Sequence, residues 1–189
     1  MKKEKIDDIV KELALILSDF ENHEDVITVL EELIISGEEK VVIGSLRMIE
    51  AADVFTPKIY TACIELSRSD NNEIKTSSIN ILGNQCPLDR NIEEVLISSL
   101  NAEDIIVRRM AASHLGKQSS RAVRPLVEAM KVNNDENIKY LIIESLGELQ
   151  HMCSNNEATA ILQEMWNKAE VNDKAKPYIL RALNKKIMS

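Results

Sequence analysis

Apolar residues recur along this chain with the 3.6-residue phase of a helix face, and one pattern of ten residues returns at nearly constant intervals. "VVIGSLRMIE" from Val41, "IKTSSINILG" from Ile74, "VRRMAASHLG" from Val107 and "IKYLIIESLG" from Ile138 are spaced by 33, 33 and 31 residues. A weaker fifth copy, "AKPYILRALN", begins at Ala175. In each copy an aliphatic or small residue opens the segment, and apolar or small residues follow at the third, fourth, seventh and eighth positions, His114 at the seventh of the third copy being the exception. That spacing predicts a helix, not a strand. The eighth position holds Ile49, Leu82, Leu115 and Leu146, with Gly83, Gly116 or Gly147 next in three of the four copies.

A second helix type alternates with the first, anchored by Val26, Ile59, Ile92, Val123 and Ala158 at spacings of 33, 33, 31 and 35 residues. Short polar turns separate the two series: Gly37, Thr56 with Pro57, Pro87, Ser119 with Ser120, Asn133 to Asp135, and Ser154 to Asn156. The pattern predicts an all-α repeat array: a leading helix over about 6–18, then five helical pairs over about 23–53, 56–84, 89–117, 119–150 and 154–187. This gives about eleven helices in a single domain, 1–189. A lone pair cannot bury both of its apolar faces, so successive pairs must stack into an elongated, curved α-solenoid. Small residues at Gly44, Ser45, Ser77, Ser78 and Ala111 let the helix axes approach closely.

Composition agrees with this reading. Hydrophobic residues make up 44% of the chain and aromatics only 3%, a core of Leu, Ile, Val, Met and Ala suited to helices. No apolar run approaches the ~20 residues that span a bilayer. Cys63, Cys86 and Cys153 are odd in number and lack CxxC spacing, which argues against a disulfide framework or a thiolate zinc site and points to a reduced cytoplasm.

The residues "VRRMAASHLG" and "IKYLIIESLG", Pro125 thirteen residues before Ile138, and the turn "NNDEN" resemble the HEAT repeat. The likeness is greatest to the short bacterial and archaeal variety named after phycobilisome lyases. Glu50 and Asn184 depart from the pattern by replacing its glycine. Tetratricopeptide and ankyrin repeats have similar periods, but their aromatic and TPLH signatures are missing. The resemblance implies that the helices opening at Val41, Ile74, Val107, Ile138 and Ala175 line a concave groove.

Three columns of that groove follow by register: Val42, Lys75, Arg108, Lys139 and Lys176; Ile43, Thr76, Arg109, Tyr140 and Pro177; and Arg47, Asn80, Ser113, Glu144 and Arg181. The first column commonly bonds to the repeat's own turn. From the other two, Arg47, Asn80, Arg109, Ser113, Tyr140, Glu144 and Arg181 are the candidate partner-binding residues, an aromatic among arginines suiting an interface. The chain's net charge is −8, yet from Ile105 to Lys131 basic residues exceed acidic ones by five. This local basicity predicts a protein partner offering an acidic or mixed-charge segment.

Catalytic readings find no constellation: G-x-S-x-G, P-loop and H-E-x-x-H patterns are all missing. HEAT-like hydroxylases hold iron with several His-Glu pairs, whereas this chain has only His23-Glu24. His114 and His151 with Cys153 read as structural, so no metal site and no cofactor are expected. A pI near 5.0 opposes the alternative of a glycosylase-like nucleic-acid binder, and a bilin-lyase-like chaperone would need a ligand signature that the chain does not show. A non-catalytic cytoplasmic scaffold or adaptor is the best reading.

Overall fold

A computed structural model describes residues 11, 15, 23–85, 89–118, 120–152, 154–170 and 173–184. These residues are helices joined by short turns, with no strand among them. Ten α-helices are described: α1 His23–Leu33, α2 Glu39–Ala52, α3 Pro57–Leu66, α4 Asn72–Gly83, α5 Arg90–Ser99, α6 Ile105–Gln118, α7 Val123–Val132, α8 Glu136–Met152, α9 Asn156–Lys168 and α10 Lys176–Asn184. A 3-10 turn, η1 Ser120–Ala122, leads into α7. The leading helix expected over 6–18 lies outside the described residues except at Lys11 and Leu15, which are both helical. Pro87, Ser119, Cys86 and Cys153 also lie outside them.

The chain divides into two compact units, Met1–Leu82 and Gly83–Ser189. In the first, Leu30 and Ile34, Leu46 and Ile49, Ile59 and Cys63, and Ile79 and Leu82 are buried. They stand at helical spacing and are supplied by α1 with the turn that follows it, α2, α3 and α4 in order. Burial pushes the Cys63 thiol up to about 12, so this cysteine behaves as a small apolar core residue. Val42 and Ile43, placed by register on the groove surface, are instead 3% and 4% exposed. In this first pair the apolar stripe of α2 is wider than in later repeats, so two of the expected surface columns start in the core.

Caps explain where the helices start. The Thr56 hydroxyl accepts from the Ile59 N–H at 3.2 Å, with Pro57 in the first turn of α3. The same hydroxyl donates to Glu31 Oε1 at 2.6 Å, and Lys58 Nζ lies 2.9 Å from Glu31 Oε2. These two contacts hold the Glu31 carboxyl below its ordinary range, the Thr56 bond most strongly.

A further regularity marks the second helix of each later pair. Asn71 Oδ1 accepts from Glu73 N, Asp104 Oδ1 from Ile106 N, Asp135 Oδ1 from Asn137 N and Asp173 Oδ1 from Ala175 N, at 2.9, 2.7, 2.8 and 2.8 Å. Asn71, Asp104 and Asp135 each stand three residues before the opening aliphatic, the place where a short acceptor relieves unpaired helix N–H groups. Glu38 holds that place before α2 and makes no such bond, its longer side chain being a poorer cap.

The second unit is built on the second helices of its pairs. Leu115 of α6, Leu146 and Leu149 of α8, and Ile179 and Ala182 of α10 are buried with Leu96, Leu126 and Leu162 of the alternate helices. A Cβ built on Gly83 would fall 2.3 Å from the His114 ring, one on Gly116 2.5 Å from Ser145 Cβ, and one on Gly147 2.8 Å from Ala182 Cβ. The glycine that closes each repeat therefore seats the seventh-column residue of the next. Ser145 Oγ lies 2.9 Å from both the Ala112 and Leu141 carbonyls, joining α6 to α8 at this close approach.

Candidate interaction face

The second-helix face of the 83–189 unit is organised around two tyrosines. Tyr140 of α8 and Tyr178 of α10 stack with ring centroids 4.3 Å apart and planes 6° from parallel. Further along the same pair, Gly147 meets Ala182 and Gln150 Nε2 donates to the Leu183 carbonyl at 3.2 Å. Three contacts that advance together along both helices show that α8 and α10 run parallel. The stack thus spans two successive repeats, on helices whose Ile142, Ile143 and Ile179 are buried.

Charges frame the stack. The Arg181 guanidinium lies 5.7 Å from the Tyr178 ring centroid and pairs with the Glu144 carboxylate. The Tyr140 hydroxyl donates to Glu136 Oε2 at 3.1 Å, and Lys174 Nζ approaches that same oxygen at 3.9 Å. Burial, and then the bond to the Glu136 carboxylate, push the Tyr140 phenol above its ordinary pKa, so it remains a neutral donor. On α6, Arg109 occupies the register position of Tyr140 and is exposed, with no acidic partner among the described residues. Ser113 lies one turn further along, half-buried.

Two of the candidate residues belong to the 1–82 unit. Arg47 Nη2 lies 2.7 Å from Glu73 Oε1, and the Asn80 amide donates to the Glu50 carboxylate. Both contacts tie α2 to α4 across one repeat. Within that unit these groups form a ladder of paired side chains, while Arg109, Ser113, Tyr140, Glu144 and Arg181 belong to the other unit.

The first column acts structurally where its contacts are visible. Arg108 Nη1 donates to the Ala102 and Glu103 carbonyls at 2.7 and 2.8 Å, closing the turn ahead of α6. Lys176 Nζ sits 5.1 Å from the Trp166 ring centroid. Tyr178 was not among the expected site residues because it stands at the third position of its repeat, where earlier copies carry Gly44 and Ser77 for close packing. The signal that could have found it is the tyrosine pair itself, offset by a single register position.

Glu93 and Glu94 are adjacent acids in α5. Glu94 is exposed, but Glu93 is buried, with Arg121 Nη2 2.6 Å from its Oε2. Replacing Glu93 would disturb a packed, buried position, so it probes folding and not binding.

His114 lies on Gly83 and is 7% exposed. Burial and then the charge of Lys117 lower its pKa, opposed by a hydrogen bond with the Gly83 backbone. The folded state therefore favours neutral imidazole. Its stabilising contribution is complete above the unfolded value of about 6.5 and is lost as pH falls from there through the lowered folded value. On going from about pH 7.5 to about pH 5.5, the melting temperature of the native chain should fall further than that of His114→Gln. Equal shifts would show that His114 does not titrate across folding. His151 is half-buried in the last turn of α8, and among the described residues no group of three or more His, Cys, Asp and Glu side chains could hold a metal ion.

Stacked pairs of antiparallel helices with a glycine seat between successive repeats define an all-α helical-repeat protein. A family model of HEAT repeats matches residues 93–184, and over that span the chain carries HEAT-like repeats. Two crystal structures of engineered proteins from the Northeast Structural Genomics Consortium share the fold. One is 17% identical with a TM-score of 0.55, the alignment covering 93% of this chain and 87% of the other. The second is 17% identical with a TM-score of 0.54, covering 84% of this chain and 47% of the other. No curated protein gives a significant match. HEAT repeats generally act as protein-interaction scaffolds, and the fold is typically non-catalytic. Among the described residues, no helix is long and apolar enough to cross a membrane.

Proposed function

We propose that this chain is a non-catalytic scaffold or adaptor that holds a protein partner, through an acidic or mixed-charge segment, on its second-helix face. The observation that carries this reading is the Tyr140–Tyr178 stack with Arg181 beside it and, at the equivalent position of the preceding repeat, Arg109, which has no acidic partner among the described residues. Rigid aromatics present a large contact area at low entropic cost, and an arginine without a carboxylate is available to a partner's acid. The ladder favours protein over a phosphate backbone. Arg47 and Arg181 already face Glu73 and Glu144, so fewer cations remain to release counterions from DNA.

Hydrogen exchange on the complex formed with a partner captured from native extract tests this reading. Protection should concentrate on α6, α8 and α10, around Arg109, Tyr140 and Tyr178. Protection confined to α5, α7 and α9 would assign the work to the other face.

A further inference from the structure

We infer that the partner's acidic segment carries hydrophobic side chains, and that these seat on Ile105 and Ile106 at the start of α6. The inference rests on the second-helix face being the binding face, and it specifies what that face takes. Ile106 is 54% exposed and Ile105 37%, whereas Val107, Ala111 and Leu115 of the same helix are fully buried. On a helix, residues three and four apart are neighbours, so Ile106 and Ile105 flank Arg109, the arginine with no acid among the described residues. Val132, 68% exposed, ends α7 at the corresponding turn of the next pair.

Exposed aliphatics are ordinary when scattered singly. Here Ile105, Ile106 and Val132 bracket the segment whose basic residues exceed its acidic ones by five, in a chain of net charge −8. A purely acidic ligand would satisfy Arg109 and leave the isoleucines in water, and a purely apolar one would bury Arg109 without a counter-charge. The chemistry that satisfies both is an acidic segment with interspersed leucine or phenylalanine.

Two short fluorescein-labelled peptides test this by anisotropy with the full chain: one of aspartate and glutamate interspersed with leucine and phenylalanine, the other equally charged with serine at every apolar position. The first should bind at least about fivefold more tightly, the value of returning roughly half an isoleucine side chain to an apolar contact. Ile106→Ser should bring the first peptide's affinity down to that of the second and leave the second unchanged. Because Ile106 is largely exposed, the variant should keep its helical circular dichroism, and Ile105→Ser provides a second probe of the same seat. Equal affinities for the two peptides would overturn the inference while leaving the acidic-segment reading standing. Tighter binding of the first peptide that survives Ile106→Ser and Ile105→Ser would also overturn it. Binding of neither peptide would overturn both readings.

Discussion

Gly116→Val should lower the melting temperature by roughly 6–12 °C, the consequence of roughly 3 kcal/mol of overpacking in a chain of this length. The Cβ would fall 2.5 Å from Ser145 Cβ and 2.7 Å from Ser145 Cα. A backbone atom cannot swing aside as the end of a flexible side chain can, so α6 and α8 must separate. Their separation would also break the buried bond from Ser145 Oγ to the Ala112 carbonyl. Gly116→Ala should be destabilising too, but less, because alanine recovers up to about 1 kcal/mol of helix propensity. Gly37→Asn is the control. That glycine has φ +79° with nothing within 4 Å of a built Cβ, and asparagine tolerates the left-handed region, so stability should change little. Thermal unfolding followed by circular dichroism reads all three. A Gly116→Val protein as stable as the native chain would remove the glycine seat from the account of the fold.

The helices were legible in the sequence because burial in a stacked repeat imposes the same 3.6-residue spacing on every copy. Thr56 with Pro57 announced the start of α3 by the same local chemistry that the structure shows. What escaped was set by neighbours distant in the chain. Glu93 has the composition of a surface residue, but it is buried, and Arg121, 28 positions later and itself exposed, reaches in to pair with it. Arg47 read as a free groove cation until α4 placed Glu73 beside it. The repeat register located Tyr140 and Arg109 on one face, yet it could not show that Tyr178 leaves its packing column to stack on Tyr140. Val42 and Ile43 were carried to the surface by averaging over copies, and local packing in the first pair buries them.

Arg109→Glu combined with Tyr140→Ala should weaken partner binding by more than about 100-fold, since each removes a central contact worth roughly 2 kcal/mol or more and the first adds like-charge repulsion. Neither side chain belongs to the buried core: Arg109 is exposed and Tyr140 only half-buried. Helical content should therefore be unchanged, and a retained circular dichroism spectrum separates lost binding from lost fold. Arg47→Ala should cost much less, because its guanidinium already pairs with Glu73 at the surface.

Side-by-side capture from one native extract by the native chain, by Arg109→Glu with Tyr140→Ala, and by Glu94→Arg on the exposed side of α5 is the most direct measurement of the central claim. The account predicts that the native chain and Glu94→Arg retain the same partner while the double variant loses it. Capture retained by the double variant and lost by Glu94→Arg would contradict it, and would place the working surface on the first-helix face.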